Sequence, residues 1–307
     1  MRFKKLDLNL LVALDHMLEL RSVTAAADKM FMSQSAMSNA LTRLRTYFDD
    51  PLLVQVGRKM ELTPRADSLR PAIRDILVRT EAAIDIAPAF DPTTTDRTFN
   101  LLLSDYSLRI LMPSILRLAK EQNAKVGFNL KAQTTTPYLQ LEQGEIDILI
   151  SPEDFVSHDH PYTQLFEDEY VVVAWKYGTY GETTLDNSTY ESAGHIAMIP
   201  PQQAQTVDNR VLSEAGLARN IQVTTFSFST IPHLVSGTNL LATVHRRLAE
   251  SMISQAELTI HPLPSKASRL RQMMQWHTYR DSDPGIIWLR NLVQGAGQSL
   301  PKHSRAR

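Results

Sequence analysis

The stretch TAAADKMFMSQSAMSNALTRLR, residues 24–45, fixes what the start of this chain can be. Val23, Ala26, Ala27 and Met30 fall on one side of a short helix over residues 23–30, and alanine side chains let a neighbouring helix cross close by. Ser33 is placed to cap a further helix over 34–48. That helix is expected to bury Ala36, Ala40, Leu41, Leu44 and Phe48 and to show Gln34, Ser35, Ser38, Asn39, Thr42, Arg43 and Arg45. Ahead of it, Leu6, Leu10, Leu11, Leu14, Met17 and Leu18 recur at helical spacing; Asp7 can cap that helix, which should end near Arg21 and Ser22. Behind it, two short apolar-rich runs, 52–56 and 60–63, flank Gly57, Arg58 and Lys59 as a hairpin with two cations at its tip. The assembly reads as a helix-turn-helix with a cationic wing. Gln, Ser and Asn hydrogen-bond to base edges, Arg43 and Arg45 suit phosphates, and the wing tip suits a minor groove. Through residue 65, ten cations meet seven anions in a chain whose net charge is −1. A three-helix bundle with a solvated polar face is the plainer alternative.

At 307 residues, with 43% hydrophobic and 21% charged residues, the chain is long enough for two or three domains. It has no cysteine, which excludes disulfides, thiolate metal sites and thiol redox sensing and fits a reducing compartment. The opening MRFKKLDLNLLVALDHMLEL has basic residues before an apolar run, yet Asp7, Asn9, Asp15, His16 and Glu19 interrupt it and no small-residue cleavage site follows. No run reaches the length of a membrane span, so the expectation is a cytoplasmic protein with no membrane partner.

Residues 64–86 return to helical spacing through Leu69, Ile73, Ile76, Leu77, Ala83 and Ile84, with Pro71 expected to make the start irregular. A stripe of this length should exceed what a small domain covers; pairing with the same helix of a second copy is expected, folding back on the rest of the chain being the alternative. APAFDPTTTDR then reads as a hinge. From Thr98 strands alternate with helices, as in an α/β fold. Expected strands are TFNLLLS, VGFNLKA, IDILIS, YVVVAW, HIAMI, IQVTTFSF and LLATV; helices are expected at 112–122, 138–143, 207–214, 231–235, 246–254 and 283–292. Ligands in open α/β sheets sit beyond the carboxyl ends of strands, here Ser104-Asp105-Tyr106, Gln133 to Thr136, and Phe226 to Ser229.

No nucleophile elbow, phosphate loop or dinucleotide fingerprint follows a strand, so no enzyme and no cofactor is expected. HDHP at 158–161 reads as solvated, His277 in WHTYRD as a packed core histidine, and GTYG at 178–181 as a turn; none is expected to hold metal. A stand-alone solute-binding protein leaves the first ninety residues unexplained.

The run DLNLLVALDHMLELRSVTAAADKMFMSQSAMSNALTRLRTYFDDPLLVQVGRKMELTPRA closely resembles the N-terminal segment of LysR-type transcriptional regulators. MRFKKLDLNLLVALD and WHTYRDSDPGIIWLRNLV are most similar to the subgroup containing NodD and NahR, regulators of nodulation and aromatic-degradation genes. One position departs: the family usually has Pro where this chain has Ser35, a change that should keep the helix start. The resemblance implies an α/β protein with an N-terminal all-α winged helix-turn-helix (1–63), a linker helix and hinge (64–90), and a two-lobed effector domain like a periplasmic binding protein, with lobe I over 91–167 plus 268–307 and lobe II over 168–267. It implicates Gln34, Ser35, Ser38, Asn39, Arg43 and Arg58 in DNA contact, and Ser104, Asp105, Tyr106, Thr134, Asp168 and Phe228 in inducer contact. For any one of the latter, a turn cap or core aromatic is an equal reading. Implied partners are double-stranded DNA with a near-palindromic operator, a small aromatic inducer, a second copy through the linker helix and a tetramer of such dimers, with RNA polymerase a further candidate. With carboxylates Asp105 and Asp168 in the set and Arg109 as the one nearby cation, the expected inducer is a neutral or weakly acidic aromatic, such as a phenol or hydroquinone, and the expected role is activation of aromatic-catabolism genes. A flavonoid or an aromatic acid is the alternative inducer.

Overall fold

Asp7 starts the first helix: its carboxylate accepts the Leu10 N–H at 2.9 Å, and α1 runs Leu8–Leu20 until Arg21 turns the chain at φ 47. The computed structural model describes residues 6–57, 59–84, 89–200 and 206–301. These divide into two units, residues 1–86 with 142–144 and residues 87–141 with 145–307. In the first unit, Ser22 caps α2 (Val23–Lys29) by accepting the Ala25 N–H at 3.2 Å, and Ser33 caps α3 (Gln34–Phe48) by accepting the Ala36 N–H at 3.2 Å. Each bond satisfies one of the donors that a helix start leaves free. Ala26 and Ala27 are buried against a core of Leu14, Met17, Leu18, Met37 and Leu44. The expected buried set is corrected at two points: Ala36 and Phe48 are half-buried, and Met37, outside the expected set, is fully enclosed along with Leu44.

The wing is the antiparallel pair β1 (Leu53–Val56) and β2 (Lys59–Leu62), joined through Gly57 at φ 64. Arg58 lies outside the described residues. Lys59 belongs to β2, opposite Val56, rather than to the tip. Arg45, expected at a phosphate, instead braces the wing: its Nε donates to the Pro51 carbonyl at 2.7 Å and a terminal nitrogen to the Leu53 carbonyl at 2.8 Å. Thr63 caps α4 (Pro64–Ile84) through the Ala66 N–H and donates its hydroxyl to Asp50 at 2.6 Å, a bond that holds the Asp50 carboxyl below its usual range.

Helix α4 is not irregular at Pro71, which sits inside it. Proline deprives the carbonyl four residues earlier of its partner, but both Asp67 and Pro71 face solvent, where water can serve. The first half of the stripe packs into the unit's own core through Ala66, Leu69, Ile73 and Leu77, and Arg74 pairs with the buried Asp15 of α1. Beyond that, Ile76 (44% exposed) and Ile84 (73% exposed) face out, with Ala72 and Ala83 on the same side.

The second unit holds two five-stranded sheets, each the base of one lobe. The first combines β3 (Thr98–Leu103), α5 (Asp105–Glu121), β4 (Gly127–Ala132), α6 (Pro137–Glu142), β5 (Ile148–Pro152) and β6 (Tyr162–Asp168). The chain then crosses at Glu169 into β7 (Tyr170–Trp175), α7 (Asn187–Ser192), β8 (Gly194–Met198), α8 (Val207–Glu214), β9 (Asn220–Thr225), α9 (Ile231–Val235), β10 (Leu241–His245), α10 (Arg246–Met252) and β11 (Leu258–Pro262). It returns as β12 (Leu270–Trp276) and ends in α11 (Pro284–Gln298). The strand orders are β4-β3-β5-β12-β6 and β11-β7-β10-β8-β9. In each sheet the parallel pairs (β3 with β4 and β5; β8 with β9 and β10) aim their carboxyl ends the same way, the arrangement that makes a crevice for ligands. Strands β6, β11 and β12 and helix α7 were not expected, and α5 begins at Asp105 rather than at 112 because Ser104 caps it by accepting the Ser107 N–H at 3.1 Å.

Candidate nucleic-acid interface and effector site

Helix α3 presents Gln34, Ser35, Ser38, Asn39, Thr42 and Arg43, all exposed, as one unbroken polar face. Its first turn is held by Ser33, whose hydroxyl also lies 3.0 Å from that of Ser35. Thr42 bonds back to the Ser38 carbonyl at 3.0 Å, which leaves Gln34 and Asn39 as the uncharged amides free to reach outward. Arg43 lies 3.3 Å from Asp7 with both side chains more than half exposed. Such a pair contributes little, so a phosphate can take the guanidinium from Asp7 at small cost. The structure therefore groups five of the six residues expected at DNA on one face, and the sixth, Arg58, is outside the described residues.

The six residues expected at an inducer meet different fates. Tyr106 and Asp168 are enclosed together: the Tyr106 hydroxyl donates to Asp168 at 2.5 Å, and the same carboxylate accepts the Glu169 N–H at 2.8 Å and the Arg247 N–H at 3.3 Å. Burial, with the Asp168 charge beside it, pushes the Tyr106 phenol well above its ordinary range. Asp105 reaches from the first lobe to the second, where its carboxylate accepts the Ser227 hydroxyl (2.7 Å), the Ser229 N–H (2.9 Å) and the Ser229 hydroxyl (3.0 Å). Ser104 is occupied as the α5 cap. Phe228 sets its ring edge-on to His245, with centroids 5.2 Å apart. Thr134 stands exposed beyond β4 with no hydrogen bond among the described residues. Arg109 is directed at Ser251 and Met252 of α10. A further tie between the lobes joins Asp154, in the turn after β5, to Arg210 of α8 at 2.5 Å.

Sequence reasoning missed the residue at the centre. His245 ends β10, is 5% exposed, stacks on Tyr106 (centroids 4.1 Å apart) and touches Tyr170 (5.2 Å). Burial pushes its imidazole down to about 3, so it is neutral at any physiological pH. The strand-end rule that selected Ser104 and Phe228 selects His245 too when applied to LLATVH. Because the unfolded imidazole titrates near 6.5 and the folded one near 3, its contribution to stability is full above about pH 6.5 and is lost as pH falls, by about 1.4 kcal/mol per pH unit. Urea unfolding of H245Q between pH 6.5 and 5 should therefore show a shallower pH slope than wild type by about that amount; equal slopes would mean that His245 is protonated in the folded protein.

Among the described residues, no group of three or more His, Cys, Asp or Glu is placed to hold a metal. His158 and Asp159 are exposed as expected, but His160 is buried, ring to ring with His277 at 4.4 Å. His277 is buried and accepts the Tyr279 N–H at 3.1 Å. No helix of the described residues is long and apolar enough to cross a membrane.

Comparison with known proteins agrees with this layout. Residues 8–67 match the model for bacterial regulatory helix-turn-helix proteins of the lysR family, and residues 93–298 match the LysR substrate binding domain. The chain is 40% identical to nodulation protein D 1 of Sinorhizobium fredii, over 95% of this chain and 91% of that one. A probable transcriptional regulator from Pseudomonas aeruginosa superposes with a TM-score of 0.65 at 26% identity, covering 96% of this chain and 98% of its own. A full-length OxyR variant from the same organism shares the fold, with a TM-score of 0.70 at 13% identity over 96% and 95% of the two chains. The chain belongs to the LysR family of DNA-binding transcriptional regulators.

Proposed function

We propose that the protein is an inducer-responsive activator that reads a near-palindromic operator with two copies of α3 and takes a small neutral aromatic between the lobes of its effector domain. The observation that carries the DNA half is the α3 face: Gln34, Ser35, Ser38 and Asn39 are uncharged, exposed and fixed by a capped helix start, with Arg43 two turns on. Direct readout needs short hydrogen-bonding groups on a helix that fits the major groove, with cations at the flanking phosphates. Arg58 at the wing completes the set as a phosphate or minor-groove contact. Fluorescence anisotropy with duplex DNA from upstream of the protein's own gene, against a scrambled duplex, tests this: preference for the upstream duplex with a steep salt dependence is expected, and equal affinity for both would refute it.

The outward face of α4 supports assembly. Ile76 and Ile84, with Ala72 and Ala83 beside them, form the part of the stripe that the unit's own core leaves exposed, and an isologous helix pair would cover it. A tetramer would be a pair of such dimers. Sedimentation of I76D/I84D is expected to show loss of the dimer, with weaker operator binding; an unchanged oligomer would place the contact elsewhere.

For the inducer, the site offers rings and carboxylates. Tyr106, Phe228 and His245 supply aromatic surface, while Asp105 and Asp168 already accept at least three hydrogen bonds each. Hydroxylated aromatics, from hydroquinone to a flavonoid, suit this better than a dicarboxylate. The relatives named as nodulation proteins favour the flavonoid end of that range over a substrate of aromatic catabolism.

A further inference from the structure

Several buried polar atoms have no hydrogen-bond partner among the described residues, Arg247 Nε and Gln272 Oε1 among them, and two of these atoms belong to rings that touch beside the lobe junction: His245 Nδ1 and the Tyr170 hydroxyl. Both side chains are more than nine-tenths buried, and their rings touch at 5.2 Å. Buried polar groups are almost always paired, and leaving one unpaired costs about 1–3 kcal/mol. Two such atoms on neighbouring rings mark a place where the protein holds hydrogen-bonding capacity in reserve. Neither atom can be rescued by Tyr106, whose hydroxyl is spent on Asp168.

We propose that His245 Nδ1 and the Tyr170 hydroxyl form the polar end of the effector site and receive one un-ionised phenolic hydroxyl of the ligand. The assignment rests on the effector reading above and sharpens it. A phenol hydroxyl both donates and accepts, which matches a neutral imidazole nitrogen and a tyrosine hydroxyl together. A carboxylate does not fit. The charges acting on Tyr170 are Asp208, Asp154 and Asp168 against Arg210, and Arg210 is already paired with Asp154. The ligand ring has a counterpart too: Phe228, half-buried, stands edge-on to His245. It belongs to the segment after β9 that Asp105 holds through Ser227 and Ser229. An aromatic ligand reaching His245 takes the place of the Phe228 ring, and that segment must shift against Asp105 to admit it. Binding is thereby coupled to the tie between the lobes.

The test uses the full chain and isothermal titration with hydroquinone, 1,4-dimethoxybenzene and benzoate, on wild type, Y170F and H245Q, with a thermal melt of each. The expected result is that hydroquinone binds wild type and the dimethyl ether and benzoate do not. Y170F should bind about tenfold more weakly, as loss of one good hydrogen bond implies, while its melting temperature stays level or rises, because the deleted hydroxyl has no protein partner. A structural hydroxyl would lower the melt instead, and that result would overturn the assignment. Wild-type hydroquinone affinity retained by both Y170F and H245Q would overturn it as well, leaving the aromatic inducer itself intact. Binding of benzoate in preference to hydroquinone would overturn both the assignment and the neutral-inducer reading.

Discussion

Q34A is expected to lose operator discrimination while folding as wild type. Gln34 is the first residue of α3, exposed and outside the core, and the helix start is secured by Ser33 rather than by Gln34 itself. A bidentate amide-to-base contact is worth about 1–3 kcal/mol of discrimination, which is about 5- to 150-fold per half-site. A dimer uses the contact twice, so the loss should show as a collapse of the preference for operator over scrambled duplex. Affinity for the scrambled duplex and the salt slope should not change, because no charge is removed. R43Q is the control of opposite kind: uniform weakening on every duplex and a salt slope reduced by about one per half-site, about two for the dimer. If Q34A kept the full operator preference, α3 would be docked with another face in the groove.

The second large effect is expected at Asp168. This buried carboxylate accepts the Tyr106 hydroxyl and the N–H groups of Glu169 and Arg247, at the point where the chain passes from one lobe to the other. D168A strands the buried Tyr106 hydroxyl and the half-buried N–H groups of Glu169 and Arg247; at about 1–3 kcal/mol for a buried donor and less for the other two, a loss on the order of 3–5 kcal/mol is expected in urea unfolding. Y106F removes one of the three bonds and should cost about 1–2 kcal/mol. The double variant should lose less than the sum of the two, since both changes delete one shared bond. Strict additivity would mean that Tyr106 and Asp168 do not act as a pair in solution.

How far the sequence speaks depends on whether its local signals and its packing agree. They agree in the first unit, where Ser33 before Gln34, Asp7 before Leu8 and the alanines of α2 each state both the helix boundary and the buried side. They diverge at Arg45, whose charge suggests a phosphate but whose two bonds go to wing carbonyls. In the second unit the helix expected from 112 in fact begins at the Ser104 cap, eight residues earlier. Strand β12 was hidden because LRQMMQW carries glutamines at buried positions. Gln275 is satisfied there by the Ser157 and His160 carbonyls, and Gln272 donates to the Ser107 hydroxyl. Such partners are distant in sequence, and no periodicity announces them. The effector site was half legible for the same reason: strand ends can be counted along the chain, but the meeting of Tyr106, Tyr170, Phe228 and His245 is made by the crossing of two lobes.

The central claim is that a ligand held in the effector domain changes how this regulator sits on DNA. Differential affinity of the ligand for two arrangements of the protein is the only source of such a change. The direct test is footprinting of the full-length protein on the DNA upstream of its own gene, with and without a panel of hydroxylated aromatics from hydroquinone to a flavonoid. The account predicts a protected near-palindrome whose boundaries or hypersensitive positions shift with a hydroxylated aromatic and not with its fully methylated counterpart. Protection identical with every compound, at concentrations where titration shows binding, would contradict it.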